Sequence, residues 1–238
     1  MSSDSPQPPT RRRPTHRKGR ATLTRDAVGR AALEFLGSRG PAELTMRSLA
    51  DQLGVSPRAL YNYVEDRHDL ITLAAELFEA DWLPPALDPA PDRWRASLAA
   101  FCHDLRAHYR RHPGMTTLAL RENVTLARHP QMLRNVDALI GFLAATGLPL
   151  RDAHLACMET LRMVVGFVEL QDTPHDRPPT HLDPALLEEP VPPWLRAKDG
   201  AELPHLAEAA KLQPATPDDQ FAFALDVLAE GLAARAQR

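Results

Sequence analysis

The sequence is poor in the features that mark secreted, membrane or metal-binding proteins. It has two cysteines, Cys102 and Cys157, in neither CxxC nor Cys/His zinc spacing. They are therefore expected to be small buried side chains in preference to metal ligands or a bridge. No apolar run approaches a membrane span, and the first twenty residues hold no hydrophobic stretch of the signal-peptide kind, so the expected location is cytoplasmic, with no membrane partner. No segment alternates as a strand between hairpin turns, which makes the expected fold all-α. Neither a GxSxG turn nor a glycine-rich phosphate loop after a strand is present. Lysine is scarce beside abundant arginine, which points to a GC-rich coding bias more than to a function.

Of the 238 residues, 44% are hydrophobic, enough for one large core or two smaller ones. The net charge of −3 is unevenly spread. Between positions 11 and 30 lie Arg11, Arg12, Arg13, Arg17, Lys18, Arg20, Arg25 and Arg30, opposed only by Asp26. Residues 1–20 thus form a basic arm whose Pro, Ser and Thr content predicts disorder. Two roles fit it: an arginine arm for DNA phosphates or a minor groove, and a solubilising tail.

The most informative segment is residues 45–70, TMRSLADQLGVSPRALYNYVEDRHDL. Thr45 can cap a helix whose apolar residues Met46, Leu49, Ala50 and Leu53 recur at helical spacing, and Gly54 supplies a left-handed stop. Ser56 is placed to cap a second helix, with Pro57 at its first position and Leu60 and Val64 pointing inward. The outward face then carries Arg58, Ala59, Tyr61, Asn62 and Tyr63. Small and polar side chains at the start of such a helix suit a major groove, where each base pair offers a distinct hydrogen-bond pattern. The segment predicts binding to double-stranded DNA.

At Leu44-Thr45-Met46-Arg47, Leu49-Ala50, Leu53-Gly54-Val55, Leu60-Tyr61 and the Asp66–Leu70 run, the chain resembles the DNA-binding domain of the tetracycline-repressor (TetR) family. The resemblance implies DNA contacts from Arg47, Ser56, Pro57, Arg58, Ala59, Tyr61, Asn62, Tyr63 and Arg67, with Thr45 offering its N–H or hydroxyl to a phosphate. It implies an N-terminal three-helix helix-turn-helix domain and a larger C-terminal helical domain for ligand binding and dimerisation. It also implies a ligand-responsive repressor acting on a palindromic operator; an activator or a corepressor-dependent regulator fits the same pattern.

Residues 24–39 read as a first helix, residues 66–82 as a fourth, and Pro84, Pro85, Pro89 and Pro91 mark a boundary between a DNA-binding part at 21–82 and a C-terminal part at 92–238. Further helices are expected from Trp94 to the Pro113-Gly114 break and at 116–127, 131–146 and 150–171. A proline-rich loop at 172–193, either a passive linker or a flap, precedes short helices around Trp194-Leu195 and 203–212. Helices 153–170 and 221–232 are apolar on more than one side, the mark of a central core or a subunit interface. Together with the resemblance, Val165, Phe221, Leu225 and Leu228 are assigned to a homodimer interface. A two-fold dimer sets its recognition helices about 34–36 Å apart, one DNA turn.

Laid in register with the tetracycline repressor, Phe101 falls where the drug-binding amide would be, Ala119 at the metal imidazole and Leu170 at the carboxylate. Glu169 lies one residue away and is expected to point elsewhere. The resemblance therefore implies a metal-free, cofactor-free site for an apolar or aromatic effector. Phe101, Leu105, Met158 and Leu161 would line it, ordinary core being the other role open to them, and His154 is the expected polar anchor. A catalytic reading finds little support, because His103 and His108, five residues apart, lie about 140° around a helix and cannot form an HExxH pair. A helical binding protein or enzyme with a vestigial DNA domain is the alternative from another class.

Overall fold

The computed structural model describes residues 23–124, 129–181, 183–187, 189–191 and 203–237. The basic arm and Trp194-Leu195 lie outside them. In chain order the helices are α1 (Arg25–Arg39), α2 (Met46–Leu53), α3 (Pro57–Leu60), α4 (Arg67–Ala80), α5 (Trp94–Arg111), α6 (Met115–Arg121), α7 (Pro130–Ala145), α8 (Leu150–Phe167), α9 (Thr173–Asp176), α10 (Pro204–Ala209) and α11 (Pro217–Ala236). No strand occurs among the described residues, and no described helix is long and apolar enough to cross a membrane.

The first helices start where side chains can cap them. Thr24 Oγ1 accepts from Ala27 N at 3.0 Å, and Asp66 accepts from Asp69 N at 2.8 Å. Such caps satisfy amide donors that have no intrahelical partner, each worth about 1 kcal/mol. Phe35, Leu49, Leu60, Ile71 and Phe78 fill a first core and are fully buried. Gly29 lets α1 and α4 touch: a Cβ there would lie 2.6 Å from Leu77 Cδ1 and 2.7 Å from Leu73 Cγ, closer than packed carbons can approach. The division expected at the proline-rich join is crossed by α6, because Met115, Leu118, Ala119 and Val124 belong to this same core.

A second core gathers Trp82, Phe101, Leu105, Leu139, Phe142, Val164, Phe221 and Leu225. Cys102 and Cys157 are buried free thiols, pushed up to about 12 and about 11 by burial. Helix α8 does not stop before the prolines as expected. It widens into a π turn at Val168–Asp172 and continues as α9 through Pro174. Proline lacks an N–H and collides with the carbonyl four residues back. The π turn shifts the hydrogen-bond ladder, and Thr173 Oγ1 donates to Val168 O at 2.8 Å.

Candidate functional site

Helices α2 and α3 present the candidate DNA surface. Thr45 and Ser48 form a reciprocal cap, Thr45 Oγ1 accepting from Ser48 N at 3.0 Å and Ser48 Oγ from Thr45 N at 2.9 Å. The Thr45 N–H and hydroxyl, expected to face a phosphate, are thus engaged within the cap itself. Gly54 follows at φ 63°, the left-handed conformation that turns the chain into α3. Ser56 occupies the cap position of α3 but makes no side-chain cap hydrogen bond; Pro57, which has no N–H to satisfy, starts the helix. Only one turn of regular helix forms before residues 61–63 turn.

Arg47, Ser56, Pro57, Arg58, Tyr61 and Asn62 are exposed on this surface, with Ala59 and Tyr63 half-buried beside them. Leu60 and Val64 are buried as expected. Arg67, expected to contact DNA, is half-buried and bonded within the protein. Its Nε donates to Leu44 O at 2.9 Å and its Nη1 to Glu122 Oε1 at 2.6 Å, tying the start of α4 to the end of α6. With Nε and Nη1 held by internal acceptors, Arg67 serves as a strut between these elements, and only its remaining N–H groups are left for a phosphate.

A cavity of about 500 Å³ opens between the end of α4, helices α5 to α8 and the π turn. Its walls are mostly apolar, and Phe101, Leu105 and Leu161 line it together with Trp82, Val136 and Leu139. Met158 and His154 do not. His154 is exposed, and Met158 lies in a groove against α11. The helical phase of His154 matches that of Leu161, but seven residues along α8 place it about 10 Å short of the cavity at 1.5 Å per residue. Val165, assigned above to the subunit interface, lines the cavity instead. Glu169 also lines it, and its Oε1 accepts from Gly114 N at 2.7 Å, because the π turn alters the phase beyond Phe167. Phe101 and Leu170 stand in the wall, while Ala119 is buried in the first core.

Two polar residues stand in the wall: Glu79 was not singled out from the sequence, and His108 was weighed there only as a catalytic or metal candidate. Glu79 and His108 are 5% and 3% exposed, and Glu79 Oε1 and His108 Nε2 have no hydrogen-bond partner. The readable signal for Glu79 was its position one turn after Ala75, a carboxylate on the buried stripe of α4. Burial pushes the Glu79 carboxyl up to about 7. His108 stacks on Phe78 with ring centroids 4.2 Å apart; burial, then the Arg111 and His112 charges, lower it to about 4. Trp82 beside them is held by its Nε1, which donates to Asp104 Oδ2 at 2.7 Å.

These two groups load stability with opposite signs. A carboxyl raised from 4.5 to about 7 contributes fully below pH 4.5, and that contribution is lost as pH rises through 7. The loss is on the order of 3 kcal/mol. The imidazole, lowered from 6.5 to about 4, contributes above 6.5 and loses that contribution as pH falls through 4. Glu79→Gln is therefore expected to melt at a higher temperature than the parent at pH 8, with the gap closing toward pH 5. Thermal melts of both proteins across that range check it, and parallel curves would refute the burial of an ionisable group at this site.

The outer faces of α8 and α11 form a groove of about 710 Å³, lined by Leu155, Met158, Met163, Phe223, Val227 and Leu228. Phe223, Val227 and Leu155 are 72%, 57% and 53% exposed. Of the residues assigned to the dimer interface, Leu228 lies in this groove, whereas Phe221 and Leu225 are buried in the subunit's own core. Phe221 packs edge-on against Phe167 at 5.0 Å. At 100° per residue, positions 221 and 225 share one side of α11 and positions 223 and 227 the other, so the exposed pair takes over the outward role.

Comparison with known proteins places both ends of the chain. Residues 30–72 match the bacterial regulatory proteins of the tetR family, and residues 88–236 match the tetracyclin repressor-like C-terminal domain. The chain is 30% identical over 218 residues to the class A tetracycline repressor protein from transposon 1721 of Escherichia coli, covering 90% of this chain and 92% of that protein. It is 26% identical over 229 residues to the HTH-type transcriptional repressor DrrR1 of Streptomyces coeruleorubidus, covering 94% and 82%. Streptomyces coelicolor ActR, solved in complex with actinorhodin, shares the fold at a TM-score of 0.70 and 22% identity, over 92% of this chain and all of that one. A helix-turn-helix surface in front, an apolar cavity behind it and these two family matches along one chain lead to one assignment: the protein belongs to the TetR family of DNA-binding transcriptional regulators.

Proposed function

We propose that the protein is a homodimeric repressor, released from a palindromic operator by an apolar or aromatic small molecule that enters the cavity without a metal ion. The observation that carries this reading is α4. Arg67 in its first turn braces the helix-turn-helix through Leu44, and Glu79 in its last turn and Trp82 just beyond it wall the cavity. An effector that binds better to one tilt of α4 shifts the spacing of the two recognition helices, by an amount set by its difference in affinity for the two states. Relatives named as repressors, and a relative of the same fold solved with a small molecule, support the reading.

On this reading Arg47 and Asn62 read base edges and Tyr61 and Tyr63 hold phosphates. Arg47→Ala and Asn62→Ala are each expected to weaken operator binding by roughly 1–3 kcal/mol and to relax discrimination among operator variants. Tyr61→Phe and Tyr63→Phe are expected to weaken binding to all sequences alike. Fluorescence anisotropy with DNA flanking the protein's own gene, at moderate salt, measures both. If Arg47→Ala, Tyr61→Phe and Tyr63→Phe all bind like the parent, α2 and α3 are not the reading surface.

A further inference from the structure

The polar part of the cavity narrows the chemistry of its ligand. Glu79 is nearly inaccessible, and its Oε1 has no partner within the protein. A buried acceptor left without a donor is destabilising, and a buried carboxylate without a counter-charge more so. Among the described residues nothing offsets that cost. The other ionisable groups at the wall do not relieve it. Glu169 adds a second carboxyl, His108 is held neutral by its surroundings, Tyr109 is a phenol, and Arg162 sits at the exposed rim paired with Glu159. The aromatic residues in the wall, Trp82, Phe101 and Tyr109, suit a flat apolar body. An anionic ligand meets two carboxyls here, a neutral one leaves the Glu79 carboxyl without a charged partner, and only a cation stabilises it in its ionised form.

We propose that the effector is an apolar, ring-bearing molecule with a basic amine, bound as its cation with Glu79 as the counter-ion. The proposal rests on the reading of this cavity as the effector site. An N–H of the protonated base donates to Glu79 Oε1 while the ring system fills the space bounded by Phe101, Leu105 and Leu161. Ligand charge then selects among molecules of the same shape, which the apolar walls alone cannot do.

Three fluorescent probes of one tricyclic frame separate the possibilities: 9-aminoacridine as the cation, acridone as the neutral form and acridine-9-carboxylate as the anion. Each is titrated into the full-length protein without DNA, and into Glu79→Gln and Leu161→Trp variants. The expected order of affinity is cation, neutral, anion, and Glu79→Gln is expected to weaken the cation by about tenfold or more while changing acridone by less than about twofold. Leu161→Trp, which fills the cavity, is expected to abolish all three. If Leu161→Trp abolishes binding but acridone binds the parent as well as the amine does, or Glu79→Gln leaves the amine unaffected, the counter-ion proposal is wrong and the cavity reading stands. Binding that survives Leu161→Trp, or no binding of any probe, overturns both. Melting of each variant as a single transition at or above the parent's temperature shows that a lost signal is not lost folding.

Discussion

Phe223→Asp is expected to turn the protein into a monomer that no longer binds its operator at concentrations where the parent is fully bound. Phe223, Val227 and Leu155 stand out from α8 and α11 with half or more of their surface uncovered, an arrangement that a soluble monomer rarely tolerates in one contiguous patch. A second copy related by a two-fold axis would cover it, since an isologous contact sets the same patch against itself. A carboxylate in the middle of that contact is desolvated twice, once in each copy, at several kcal/mol each. Operator binding is lost with the dimer because one recognition helix reaches one half-site only. Sedimentation velocity gives the assembly state, and anisotropy on the same samples gives the affinity. A parent that sediments as a monomer while binding operator specifically, or a dimeric Phe223→Asp protein of full affinity, would sink the assignment of this face.

The second large effect is expected inside the subunit. Arg106 is clamped by Asp172, Nε to Oδ2 at 2.7 Å and Nη2 to Oδ1 at 2.6 Å, and its Nη1 reaches Asp218 Oδ1 at 2.8 Å. The side chains of Arg106 and Asp172 are 5% and 0% exposed, and the guanidinium lies over the rings of Phe221 and Phe167 at 4.6 and 5.0 Å. Asp172→Ala strips a buried cation of its bidentate partner and should lower stability by about 3–5 kcal/mol. Replacing both residues together, Arg106→Met with Asp172→Leu, should recover most of that loss, because no charge is then left stranded. Urea unfolding of the parent, the single variant and the double variant forms the test. A single variant within about 1 kcal/mol of the parent would show that water or Asp218, 2.8 Å from Arg106 Nη1, already compensates the charge. This pair also anchors the π turn that carries Glu169 and Leu170 into the cavity wall, so weaker effector binding should accompany the lost stability.

The parts of this protein legible in its sequence are those set by near neighbours. Thr24, Thr45 and Asp66 cap their helices through bonds to residues three positions on, and Gly54 ends α2 by its own backbone freedom, so the helices of the helix-turn-helix and the burial of Leu60 and Val64 followed directly. Spacing also placed Phe101, Leu105 and Leu161 inward. What it left open was which of two apolar stripes faces which partner. Phe221 and Phe223 are equally apolar, and only the docking of α11 on α5 and α8 turns the first inward and leaves the second outside. His154 has the right phase on α8 and the wrong height, a distance fixed by where neighbouring helices end. Arg67 meets Glu122, 55 residues away, and Arg106 meets Asp172, 66 residues away; both pairings exist only once the helices have packed. Glu79 was visible as a charge on a buried stripe, but its meaning came from the cavity around it. Helix position and phase follow from bonds spanning a few residues, whereas the cavity, the exposed face and the buried ion pair are properties of how finished helices lie against one another.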